Sequence, residues 1–185
     1  ARKFGATHNA TDVELLHTKF IRSILRVKHY TYLNALCGET GRLPLSVFRK
    51  FIIVKYWIKF LKLQDTSIVK QSYLFLKSDA EIGRSYKGTN WASHVKSILD
   101  TDGFYHIWQE QFNMRIPFEL IKHRITDMYL QKWYSEINNS PRLESYCIFK
   151  HNYNNELYLS CIKESKYRIA LARFRTSSHN LSTDT

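Results

Sequence analysis

The chain has 185 residues, with 28 Lys or Arg against 16 Asp or Glu, a formal charge of +12, 15% aromatic residues, six Gly and three Pro. That length makes one ordinary domain or two small ones, with a core large enough to need no disulfide or metal staple. The composition excludes fibrous and disordered chains, and the charge points to a polyanionic partner such as nucleic acid.

Residues 1–10 read as a loose lead-in. Thr11 or Asp12 is expected to cap a first helix running to about Val27, with Val13, Leu16, Phe20, Ile24 and Val27 as its apolar stripe. Gly38 to Pro44 reads as a turn, and Pro44 suits the first turn of a second helix to about Leu63. That helix is apolar nearly all round, so burial on several sides is expected, apart from one cationic line of Lys55, Lys59 and Lys62. A third helix spans Thr66 to about Ile82, followed by a Gly-containing polar loop at 83–89. Asn90 caps a short helix to Leu99, Asp100–Gly103 turns, and another short helix covers Phe104 to Phe112. Pro117 opens the longest helix, to Ile137. Two short apolar runs near Cys147 and Leu157 stay unassigned. A last helix, Glu164 to Thr176, is expected to pack through Tyr167, Ala170, Leu171 and Phe174.

The most apolar stretch, Leu45 to Leu63, is broken by five basic residues, so no membrane span and no membrane partner is expected. The first five residues carry no apolar run, which argues for an intracellular protein, nuclear or cytoplasmic, rather than a secreted one. The absence of an initiator Met makes the chain read as a piece of something longer. Cys37, Cys147 and Cys161 are odd in number and widely spaced, which suggests reduced, buried thiols.

Charge falls in two blocks. Residues 19–62 hold ten Lys or Arg and one acid, Glu39; residues 163–175 hold five and one acid, Glu164; the middle is nearly neutral. The first block is interleaved with Tyr30, Tyr32, Tyr56 and Trp57. Cations neutralise phosphates and rings stack on unpaired bases, although most of these rings are expected in the core. A solvated helix face explains the terminal block equally well. No nucleophile elbow, P-loop, zinc-protease or dinucleotide motif occurs, and there is no adjacent Asp-Asp pair for two-metal chemistry. Cys147, His151 and Cys161 lack a compact fourth ligand. The chain is therefore expected to be no enzyme, with no catalytic residue, metal or cofactor.

Two stretches carry a resemblance. The first is His17-Thr18-Lys19-Phe20, continuing through Ile24-Leu25-Arg26-Val27-Lys28, then Gly38-Glu39-Thr40-Gly41-Arg42-Leu43-Pro44-Leu45, then Lys55-Tyr56-Trp57. It resembles the region after the polymerase in the reverse-transcriptase polyproteins of LINE-type (non-LTR) retrotransposons. The second, Lys166 to Leu181, looks like the segment leading to the C-terminal zinc knuckle of those polyproteins. The resemblance spans about residues 12–182, with Thr40 where the family has an apolar residue. Neither knuckle cysteines nor the polymerase Asp-Asp motif is present. It implies a thumb-proximal and linker region that holds RNA or DNA beside a polymerase carried elsewhere, with the rest of that polyprotein as a partner. By that implication the nucleic-acid contacts are Arg22, Arg26, Lys28, Arg42, Lys55, Arg168, Arg173 and Arg175, with Lys59 and Lys62 added from the cationic line.

The expected fold is all-α, an irregular bundle of seven to nine helices, either one domain or two lobes: a basic lobe at 1–82, thumb-like by the resemblance, and a linker lobe at 83–185. The expected function is non-catalytic binding of the RNA or DNA backbone. Two alternatives stay open: a helical protein-interaction module with a basic surface, and a fragment without autonomous function.

Overall fold

The computed structural model describes residues 6–82, 90–112, 115 and 117–179, with side chains from residue 12 onward. The chain is all-α. Among the described residues ten helices follow in order: α1 (Ala6–Leu25), α2 (Leu33–Thr40), α3 (Leu45–Leu61), α4 (Ile68–Ile82), α5 (Trp91–Thr101), α6 (Tyr105–Gln109), α7 (Phe118–Asn138), α8 (Glu144–Phe149), α9 (Tyr158–Cys161) and α10 (Ser165–Arg175). The only β pairing among the described residues is an isolated antiparallel bridge between Thr40 and Asn155. No described helix is long and apolar enough to cross a membrane.

Packing divides the chain into two compact units. One is Ala1–Ser46 together with Tyr129–Thr185; the other is Val47–Met128. The sequence placed a division at 82/83, but α4 packs on α5 inside the second unit, and α10 returns onto α1 inside the first. The hinge expected at 83–89 lies outside the described residues.

The first unit is built around α2, whose last turn, from Gly38 to Thr40, overlaps the stretch where the sequence predicts a turn. Ala35, Leu36, Cys37, Gly38 and Glu39 are all buried. Ala35 joins Trp133, Ile137, Leu143 and Tyr146 on one side, while Leu36 joins Ile21, Leu25 and Ala172 on the other. A helix enclosed on both sides needs one position without a side chain. A Cβ on Gly38 would meet the Tyr146 hydroxyl and lie 2.7 Å from the Trp133 ring. Gly41 then ends the helix in the left-handed region at φ 61°, with the Asn154 backbone 2.7 Å from where its Cβ would stand. The turn that remains is Gly41 to Pro44.

The second unit packs Trp57 of α3 against Trp108, with ring centroids 6.4 Å apart. The Trp57 indole donates to the Tyr73 hydroxyl at 2.8 Å, that hydroxyl donates to Gln111, and the Gln111 amide donates to the Trp108 carbonyl at 2.6 Å. Each side chain of this relay thus has a partner, as burial in an apolar core demands. Asn90 caps α5 as its sequence suggests, accepting from Ala92 at 2.8 Å.

Three packing expectations are corrected. The α1 stripe Val13, Leu16, Phe20 and Ile24 is exposed, and the helix buries Ile21 and Leu25 instead. Helix α3 is one-sided: Val47, Phe51, Val54 and Trp57 are buried, but Phe48, Ile52 and Tyr56 are exposed. Of the cysteines, all free, only Cys37 is buried, its thiol pushed up to about 11 by desolvation.

Two outcomes follow. Gly38→Ala overpacks the α2 enclosure and lowers stability by about 1–3 kcal/mol, read as a shift in urea midpoint. Asp102, buried at the end of α5, is raised in pKa chiefly by desolvation, partly offset by Lys50 at 3.6 Å. A raised folded-state pKa means stability is lost as pH climbs through it from the ordinary carboxylate value. Asp102→Asn therefore raises the melting temperature at pH ~7 and leaves it unchanged at pH ~3.

Candidate nucleic-acid interface

The C-terminal end of α1 and the length of α10 carry the first concentration of charge. Helix α1 stops at Leu25, and Arg26 takes a left-handed backbone, φ 53°. The Arg26 carbonyl accepts from Arg173 Nε at 2.7 Å. The Lys28 backbone N–H donates to Ser178 Oγ at 2.7 Å, and Lys28 Nζ donates to the His179 carbonyl at 3.1 Å. These bonds tie residues 26–28 to α10 and to the residues just after it, and fix where their side chains emerge.

Two adjoining clefts result. One, about 420 Å³, has Arg26, Arg42 and Arg168 around an apolar floor that includes Leu25, Ile169 and Ala172. The other, about 570 Å³, is lined by Arg26, Lys28 and Arg173 with Phe174. Arg26 belongs to both. No Asp or Glu lines either cleft among the described residues. Five of the ten expected contact residues are thus gathered on one surface from three separate parts of the chain, and no described carboxylate neutralises any of them.

Arg175 does not belong with them. Its side chain is 11% exposed and its guanidinium clasps Glu39, whose side chain is fully buried, through Nε and Nη2 at 3.0 to 3.1 Å. Nη2 also reaches Glu156 at 3.0 Å. Burial alone would lower the Arg175 pKa, but the hydrogen bonds and charge of Glu39 hold it above its ordinary value. Tyr158 donates to Glu39 at 2.7 Å, and the fully buried Lys150 pairs with Glu156 and donates to the Asn154 carbonyl at 2.7 Å. Burial, then the Glu39 charge, pushes the Tyr146 and Tyr158 phenols far up, so both keep their protons as donors. This group joins α2, α10, the start of α9 and the segment before it.

The cause is the orientation of α10. Its expected packing residues Tyr167 and Phe174 are exposed; Ala172 and Arg175 face inward, while Arg168, half-buried, opens onto the cleft. Arg22 is also partly withdrawn: it donates to the Thr31 carbonyl at 3.0 Å, and burial lowers its pKa. The sequence reading missed Glu39, Glu156 and Lys150. One signal was available: Glu39 is the lone acid among ten cations in residues 19–62.

In the second unit Lys55, Lys59 and Lys62 are exposed along α3, as expected, and no described carboxylate pairs with them. Lys59 Nζ sits 5.4 Å from the Tyr56 ring centroid. Tyr30, Tyr32 and Tyr56 are exposed, against the expectation of core packing; Trp57 alone of the four rings is buried. Cys147, His151 and Cys161 do not converge: among the described residues no three His, Cys, Asp or Glu side chains gather closely enough to hold a metal ion. The chain matches no family model, no curated protein and no solved structure.

The two kinds of arginine are separable by experiment. Arg175→Ala leaves Glu39 buried and unpaired and costs about 3–5 kcal/mol in denaturant unfolding. Arg42→Ala, at an exposed side chain, changes stability by less than about 0.5 kcal/mol in the same measurement.

Proposed function

We propose that this chain is a non-catalytic nucleic-acid-binding segment that grips phosphates through Arg26, Lys28, Arg42, Arg168 and Arg173. The observation that carries the reading is the pair of adjoining clefts sharing Arg26, with five cations and no acid in their walls. An arginine fork without a carboxylate partner is free to meet a phosphate bidentately. Contacts of this kind set affinity and register without reading sequence. The cationic line of Lys55, Lys59 and Lys62 supplies a second such surface in the other unit.

The reading extends to origin. We propose that the chain derives from the post-polymerase region of a LINE-type retrotransposon polyprotein and works inside the cell beside the polymerase. What supports this is that the stretches carrying the resemblance supply Arg26 and Lys28, Arg42, and Arg168 and Arg173 to the same two clefts. A protein-interaction module is the second reading. It is favoured by the exposed α1 row of Val13, Leu16, Phe20 and Ile24.

Salt separates them. Anisotropy with labelled single-stranded RNA and with duplex DNA, over about 50 to 300 mM salt, is expected to give a steep log–log slope, about −3.5 for a single strand and −4.5 for a duplex when five cations engage. Glu at Arg26, Arg42 or Arg168 weakens all sequences alike and flattens the slope by about one per side chain. Absence of binding at the lowest salt by a folded sample overturns the proposal.

A further inference from the structure

The second unit carries an open groove between α3 and α4, closed at one end by the first residue of α5. Its volume is about 470 Å³, within the range of small-molecule sites. Tyr56 and Phe60 of α3, Tyr73 of α4 and Trp91 of α5 line it, with Ile52 and Val69 between. Among the described residues no charged side chain lines it. The rings already touch one another: Phe60 and Trp91 have centroids 5.2 Å apart with planes tilted by 54°, and the buried Tyr73 supports Trp91 edge-on at 6.1 Å. Tyr56 and Ile52 are each about half exposed, at 50% and 53%.

Charge runs beside this groove. Lys59 stands one turn from Tyr56 on the exposed side of α3, with Nζ over its ring, and Lys55 is one turn before Lys59. Arg49 precedes Ile53 by four residues on the same face and is exposed. An uncharged aromatic trough with cations along its rim is complementary to one chemistry above others: flat, apolar-faced rings strung on a polyanion.

We propose that the α3–α4 groove takes unpaired nucleobases of a single-stranded nucleic acid, stacked against Tyr56, Phe60 and Trp91, while the backbone phosphates lie on Lys55, Lys59 and Arg49. The proposal rests on the nucleic-acid reading above and adds a preference for single strands at this unit. In a duplex the base faces are covered by their neighbours, so only the rim cations engage it. Stacking on aromatic side chains tolerates any sequence, because every base presents a π-face.

The groove provides its own reporter. Trp57, Trp108 and Trp133 are fully buried, so of the four tryptophans only Trp91 lies where a ligand reaches it. The experiment titrates the full chain with a short oligothymidylate and with a blunt-ended two-strand DNA duplex, reading tryptophan emission and anisotropy together at low salt. The oligothymidylate is expected to quench the emission and the duplex to bind without quenching. Trp91→Phe removes the quench. Tyr56→Ala, at an exposed ring, weakens the oligothymidylate about tenfold and leaves the duplex unchanged. Glu at Arg42 or Arg168 weakens binding but leaves the quench at saturation intact. Oligothymidylate binding without quenching, and without loss in Tyr56→Ala, overturns the groove assignment while the arginine clefts stand. Failure of both nucleic acids to bind overturns the arginine reading and this one together. Concentration-dependent self-association that Tyr56→Ala abolishes makes the groove a protein-docking face and likewise overturns it.

Discussion

Everything in the first unit is arranged around the buried carboxylate of Glu39. A charge removed from water at that depth is tolerable only when its lone pairs are filled, and here Arg175 and Tyr158 fill them. The partners come from α10 and α9, so one carboxylate holds α2 to both. Glu156 answers the second face of Arg175, and Lys150 answers Glu156. The Glu39 carbonyl also accepts from the Glu156 backbone at 2.9 Å, beside the Thr40–Asn155 bridge. The flanking glycines belong to the same device. Gly38 lets Trp133 and Tyr146 close over the helix, and Gly41 turns the chain away beneath Asn154. The Gly-Glu-Thr-Gly stretch, which reads in the sequence as a turn, is in this fold a packing joint.

That joint divides the basic residues into two populations. Arg175 and Lys150 are spent on internal carboxylates, and Arg22 on a backbone carbonyl. Arg26, Arg42 and Arg168 find no internal acid, and Lys28 and Arg173 meet only carbonyl oxygens. A net charge of +12 describes the sum and not the division. The uncompensated part of that charge is what an outside polyanion meets, and it is concentrated where α1 ends against α10.

Helices α1, α3 to α7 and α10 were legible because their signals are local, whereas α2, α8 and α9, short and without such signals, were not. Pro44 before α3 and Asn90 before α5 act within one turn, and the structure keeps both starts. Helix faces were not legible where two apolar rows compete. On α1, Val13, Leu16, Phe20 and Ile24 form a row as regular as Ile21 and Leu25, and periodicity cannot choose between them; α2 and α10 choose by covering the second. On α10 the larger rings, Tyr167 and Phe174, lost to small Ala172, because close approach to α1 has no room for a ring. The role of Arg175 depended on an acid 136 residues away, beyond the reach of any local pattern. The candidate contacts Arg26, Arg42 and Arg168 were legible as charge, but their shared cleft required the fold.

The interrupted make-up of the first unit bears on the order in which a ribosome delivers it. Residues 47–128 are contiguous and emerge with every partner of their own core already in hand. The first 46 residues emerge earlier yet must wait, because Arg175, which neutralises Glu39, follows it by 136 residues. Until then α2 is a helix with a charge it cannot bury and an apolar surface it cannot cover, the state in which nascent chains most need a chaperone or a holding partner. A truncation that removes α10 therefore does more than trim a basic surface. It leaves the amino-terminal helices permanently in the condition of a chain still on the ribosome.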